Sequence, residues 1–253
     1  MRREKRADSG DAPRRRRRPP RLRIDAEQLL RFQRGLVAWY RRHGRDLPWR
    51  RTRDPYEILV SEVMLQQTQV RRVMEFYPRF LSRYPTAEDL AAASPSAVRD
   101  AWEGLGYYRR ARDLQRAARE VAERHGGRFP ETPEELVRLP GIGRYTAGAV
   151  ASFAFGADAP ILDTNAARVL TRAFGVGRRR RGRERRLWAL ARAATPPGRA
   201  YPFNQGIMDL GATICTARHP ACSRCPVRRS CRTGRDAPPA APTRPRRSRS
   251  AQR

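Results

Sequence analysis

The chain has 253 residues, with 55 Lys and Arg against 25 Asp and Glu, a formal net charge of +30 and 39% hydrophobic residues. That apolar content sustains one large folded body or two small ones sharing a core. The positive field favours a polyanion, nucleic acid first, over a merely adhesive basic protein. No apolar run approaches the roughly 18 residues of a membrane span and none follows the arginine-rich start, which excludes a membrane helix and a secretory signal and leaves a soluble, intracellular, cytoplasmic protein.

Residues 1–22 and 233–253 lack periodicity and hold little but charge, Pro and small residues, the composition of disordered basic tails. Between them the pattern is helical. Asp25 is placed to cap a helix reaching about His43, with Leu29, Leu30, Phe32, Leu36 and Val37 as its apolar positions. Asp54-Pro55 opens a second that ends near Gln66. Further helices are predicted over 69–83, 86–92, 95–103, 107–125, 133–138, 143–155, 164–175, 183–195 and 203–213, separated by Pro, Gly, Ser and Thr joints. Strand-like alternation is nearly absent, and the class is all-α.

Three groups of residues carry chemistry. The pentapeptide LPGIG at 139–143 lies between helices, and Gly141 and Gly143 let the backbone turn tightly and offer amides at a helix start to a phosphate. An ordinary corner between two helices has the same look. Glu62 interrupts the apolar run of the second helix, so its carboxyl should be partly desolvated and its pKa raised toward that of a general acid. Asp163 follows Ile161-Leu162 at the head of a helix, where amides keep it ionised. Two carboxyls with separated pKa values suit cleavage through an oxocarbenium-like state, although a core-edge Glu and a simple N-cap Asp would occupy the same positions. All four cysteines fall within 17 residues, as Cys215-x6-Cys222-x2-Cys225-x5-Cys231. Such a cluster argues for metal rather than disulfides, and four thiolates suit either structural zinc or a [4Fe-4S] cluster. Of the 55 basic residues only Lys5 is a lysine, which rules out Schiff-base chemistry through a core lysine.

The cysteine spacing at the end of a helical domain resembles the iron–sulfur loop of endonuclease III and adenine glycosylases. Six segments make the likeness closer: LPWR at 47–50, SEVMLQQTQV at 61–70, GLGYY at 104–108, LPGIGRYT at 139–146, ILDTN at 161–165 and NQGIMDLGA at 204–212. Together they resemble the MutY family of adenine DNA glycosylases, within the iron–sulfur helix–hairpin–helix superfamily, over about residues 28–232. The resemblance implies two helical domains with the active site in the cleft between them. One is a six-helix barrel with the hairpin, over about 52–158; the other joins 23–51 to 159–232 and holds the [4Fe-4S] cluster on Cys215, Cys222, Cys225 and Cys231. It implies that Glu62 protonates the base, that Asp163 stabilises the sugar cation, and that Tyr145 and Asn165 assist. Arg50 lines the pocket, and Gln66, Gln67 and Tyr107 fill or wedge the duplex where a base is extruded.

The implied activity is monofunctional base excision from double-stranded DNA by a nucleoid-associated monomer, since endonuclease III-like strand cleavage needs a lysine where Tyr145 stands. The target expected first is adenine opposite guanine or 8-oxoguanine. The alternatives are a mismatch-specific thymine or uracil glycosylase and, from another class, a non-catalytic DNA-binding iron–sulfur protein. The chain runs only 22 residues past Cys231, so the second domain with which familiar adenine glycosylases check for 8-oxoguanine is expected to be absent. The basic run at 175–186 is expected to contact phosphate or to be merely solvated.

Overall fold

The computed structural model describes residues 24–177 and 182–235. Among them are twelve α-helices, three short 3-10 helices and no strand: α1 (Ala26–His43), α2 (Pro55–Leu65), α3 (Val70–Arg83), α4 (Ala87–Ala92), α5 (Pro95–Ala101), α6 (Arg109–Arg124), α7 (Pro133–Leu136), α8 (Arg144–Ala154), α9 (Thr164–Phe174), α10 (Arg183–Ala194), α11 (Ala200–Thr213) and α12 (Arg232–Arg235). None is long and apolar enough to cross a membrane.

The helix starts follow from local chemistry. Asp25 accepts from the amides of Glu27 and Gln28 at 2.9 and 3.1 Å, and Asp54 caps α2 by accepting from Tyr56 at 2.7 Å, with Pro55 in the first helical position. Thr86 and Asp89 form a reciprocal box at α4. α11 begins at Ala200, earlier than the predicted 203, because the first turn of a helix accommodates Pro202 without losing a bond. One boundary needs correction. Residues 233–235, placed in a tail by composition, belong to α12, where the Gly234 amide donates to Cys231 Sγ at 3.2 Å and Thr233 Oγ1 to the Arg172 carbonyl at 3.0 Å. Composition cannot reveal such tertiary anchors. Residues 1–22 and 236–253 of the expected tails, and 178–181 of the arginine run, lie outside the described residues.

Two hydrophobic clusters organise the body. The first runs from Leu47 to Ile161 and surrounds α2, of whose 11 residues eight are buried. The second joins Phe32, Leu36 and Val37 of α1 to α9, α10, α11 and Val227. Gly206 lets α1 and α11 close on each other, since a Cβ there would lie 3.1 Å from Tyr40 Cβ and 3.3 Å from Leu36 Cγ. Between the clusters, the buried Asn204 amide of α11 donates to Ser152 Oγ at 3.0 Å and to the Ala159 carbonyl at 2.9 Å. A cleft opens along this seam.

Candidate active site

The cleft encloses about 950 Å³ and is lined from both clusters, by Glu62, Gln66 and Gln67 at the end of α2, Tyr145 of α8, Asp163 and Asn165 at the start of α9, Gln205 and Met208 of α11, and Arg45 and Arg50. Seven residues singled out from the sequence thus share one cavity. Glu62 is 4% exposed. Burial pushes its carboxyl up to about 7; the charge of Asp163 adds to the rise, while the Tyr145 hydroxyl and the Arg50 guanidinium pull it down. Of the two acids of α2, Glu57 lies in its first turn and Glu62, inside the buried stretch, faces the cavity. The Tyr145 hydroxyl donates to Met208 Sδ at 3.4 Å. Its pKa is raised well above the ordinary tyrosine value, by burial and then by Glu62 and Asp163, so the phenol stays neutral.

Asp163 caps α9. Its Oδ1 accepts from the Ala166 amide at 2.6 Å and its Oδ2 from Asn165 Nδ2 at 3.0 Å, which suits an anion at a helix N-terminus. The chain of bonds continues beyond the cleft. Asn165 Oδ1 accepts from Arg168 Nη2 at 2.6 Å, and Arg168 also donates to the carbonyls of Gly211 at 2.7 Å and Cys215 at 2.8 Å. Nothing in the sequence distinguishes Arg168 among so many arginines, and its part in holding Asn165 was missed.

Arg50 lines the cleft, but its two terminal nitrogens are committed, while its buried Nε has no partner. Nη1 and Nη2 each reach an Asp209 oxygen at 2.8 Å, and Arg45 adds a bond from Nε at 2.7 Å. Burial alone would raise the Asp209 carboxyl, yet the bonds and charge of Arg50 and Arg45 hold it below the usual carboxylate range. The Arg50 and Asp209 side chains are 7% and 1% exposed. Gln205 is a wall residue that sequence reasoning passed over; it is 3% exposed and its Oε1 has no partner. The available signal was an amide inside the apolar face of α11.

At the rim, Gln67 and Tyr107 are the only non-glycine residues among those described with positive φ, at 56° and 48°. Such a conformation costs on the order of 1–3 kcal/mol each and persists only where the surroundings impose it. Tyr107 is 61% exposed. With Gln66, Tyr108, Pro140 and Gly141 these residues border a second hollow of about 620 Å³. The two hairpin glycines differ. Gly141 takes φ +74°, and a Cβ there would lie 2.6 Å from Asp113 Cβ, whereas Gly143 has an ordinary φ of −87° with nothing near its missing Cβ. Gly143 borders neither hollow; it starts α8, where no side chain caps the backbone amides, and these can receive a phosphate.

Cys215, Cys222, Cys225 and Cys231 line a separate small apolar cavity with Arg172, Ile214 and Gly234. Arg172 Nη1 donates to Cys215 Sγ at 3.3 Å and the Gly234 amide to Cys231 Sγ, contacts that favour thiolates. Among the described residues no three His, Cys, Asp or Glu side chains are grouped so as to hold one metal ion. The four cysteines around one apolar cavity are the four-thiolate donor set that a [4Fe-4S] cluster takes.

The fold has close relatives of known structure. The chain is similar to the structure of a thermostable thymine-DNA glycosylase, with a TM-score of 0.76 and 34% identity over 83% of this chain and 98% of that one. It is 47% identical over 219 residues to the adenine DNA glycosylase of Homo sapiens, covering 82% of this chain and 40% of that protein. It is 40% identical over 214 residues to the thymine-DNA glycosylase of Aeropyrum pernix, covering 82% and 96%. The chain therefore spans about 40% of the length of the human relative. Residues 60–193 match the HhH-GPD superfamily base excision DNA repair protein, and residues 215–231 match the iron-sulfur binding domain of endonuclease III. The chain belongs to the HhH-GPD superfamily of base excision DNA repair proteins. Its cofactor is a [4Fe-4S] cluster.

Proposed function

We propose that the protein is a monofunctional DNA glycosylase that binds duplex DNA as a monomer and hydrolyses the N-glycosidic bond of adenine mispaired with guanine or 8-oxoguanine. The observation that best supports this is the buried Glu62 carboxyl, raised to about 7, facing the same cleft as Asp163. At neutral pH a large share of Glu62 holds a proton it can give to a ring nitrogen of an extruded purine. The base then leaves with the bonding electrons of its sugar link, the Asp163 carboxylate stabilises the cationic sugar, and water adds to the sugar carbon. Tyr145 and Asn165 hold the two carboxyls in place. Gln205 Oε1 lacks a donor, and the amino group of adenine offers one. Gln66, Gln67 and Tyr107 occupy the gap in the duplex, and Gly141 and Gly143 present the hairpin to phosphate. Cys215, Cys222, Cys225 and Cys231 would hold the cluster, which supplies a rigid anchor for the 215–231 loop. The division of about 52–158 against 23–51 with 159–232 is proposed as the domain arrangement, with Leu47, Trp49, Ala159 and Ile161 contributing to the first cluster across that boundary.

A thymine or uracil glycosylase is the second reading, favoured by similarity covering 96% of the Aeropyrum protein. A pyrimidine, however, offers no equivalent of purine N7 for Glu62 to protonate. Duplexes holding A:G, A:8-oxoG, T:G, U:G and A:C pairs, treated with protein and then alkali, decide between them. Cleavage of the adenine strand in A:G and A:8-oxoG is expected, and cleavage confined to T:G and U:G would overturn adenine. Borohydride added during turnover should trap no covalent adduct, because the described body contains no lysine. An adduct on that body would overturn monofunctional hydrolysis.

A further inference from the structure

Arg110 stands where the two strained rim residues meet. Its Nη1 donates to the carbonyls of Val63 at 3.0 Å, Met64 at 2.9 Å and Gln66, and its Nη2 to Thr68 Oγ1 at 3.1 Å and the carbonyls of Leu105 at 3.2 Å and Gly106 at 3.1 Å. One guanidinium therefore binds the residues just before and just after Gln67 and the residue just before Tyr107. Its carbon also lies 5.5 Å from the centre of the Tyr107 ring and 5.5 Å from that of Trp102. Trp102 Nε1 shares the Gly106 carbonyl at 3.2 Å. The carbonyls of Val63 and Met64 belong to the last turn of α2, where a cation is favoured.

A left-handed non-glycine residue is held only by what surrounds it, and here one side chain surrounds both. We infer that Arg110 is a positioning residue that couples Gln67 and Tyr107, so that they enter the duplex as one unit. The inference rests on the glycosylase reading above. Lysine cannot replace it, because three rotatable donors on one nitrogen cannot span both loops as a planar fork does.

The test uses an A:G duplex for single-turnover excision and a duplex with 2-aminopurine at the target position, whose fluorescence rises on unstacking. Both are read for wild type, Arg110→Lys and Thr68→Val, the latter removing one bond without opening the structure. Arg110→Lys should slow excision on the order of 100-fold and flatten the fluorescence rise, and Thr68→Val should move both readouts the same way by less. In wild type, Gln67→Ala and Tyr107→Ala should be non-additive by about threefold or more, and in the Arg110→Lys background additive. Unchanged coupling in Arg110→Lys overturns the inference, as does a Thr68→Val protein indistinguishable from wild type if Arg110→Lys fails to fold. A wild-type protein that neither excises nor unstacks overturns the functional reading first and this inference with it.

Discussion

Asp163→Asn is expected to reduce base excision on the order of 1000-fold or more while leaving duplex affinity unchanged or higher. Asparagine is as good an N-cap as aspartate, so the bond to the Ala166 amide survives and α9 keeps its start. What disappears is the negative charge that Asp163 presents to the cleft, and with it a repulsion toward phosphate. The new amide also meets Asn165 Nδ2, which now donates to Oδ2. Two donors face each other unless one amide turns, and if Asn165 turns it loses its acceptor for Arg168. A stability loss of about 1 kcal/mol should follow, far too small to account for the loss of turnover. Single-turnover rates and binding isotherms at fixed salt separate the effects, because affinity depends steeply on salt. A variant within tenfold of the wild-type rate would end the assignment.

Glu62→Gln should lower excision by about 10²–10⁴-fold and make the protein more stable in alkali. In the folded protein the carboxyl titrates near 7, against an ordinary value of 4.5, because burial opposes its charge. The folded state therefore holds the proton more tightly than the unfolded chain. Stability is fully present below about 4.5 and is lost as pH rises through 7, by about 3 kcal/mol at the upper limit. Glutamine resembles the protonated acid and escapes that loss. Melting curves should coincide below about pH 4, diverge as pH rises from 4.5 to 7 and keep a constant offset above that, with the variant higher. Wild-type excision should fall about tenfold per pH unit above 7 if the proton on Glu62 is the one delivered. A flat profile to pH 9 would remove Glu62 from that role.

The helices were legible because their starts are written in side chains. Asp25, Asp54-Pro55 and Thr86 announce themselves, and the apolar rhythm does the rest. Glu62 and Asp163 were legible for a related reason, as carboxylates where the surrounding pattern leaves little room for one. The supports of the site were not. Arg110, Arg168 and Arg172 act by satisfying backbone carbonyls at helix ends and in loops far along the chain, and which carbonyls lack partners is a property of the folded chain. Arg50 stands on the cavity wall, but its binding of Asp209 depends on how α11 comes past it. Gly143 looked like a turn glycine; only Gly141 needs the conformation that glycine alone adopts cheaply.

The Arg50–Asp209 contact ties the segment before α2 to α11 across the floor of the cleft, with both side chains almost wholly removed from solvent. Dissolved ions screen exposed charges over a length of about 10 Å at 0.1 M, but a buried pair such as this one is screened much less. The phosphate contacts proposed for the outer surface would be fully open to them. On the proposed function, rising ionic strength should release nucleic acid long before it loosens the Arg50–Asp209 pair. Protein released from duplex DNA by salt should therefore keep its cleft, so that dilution alone restores binding.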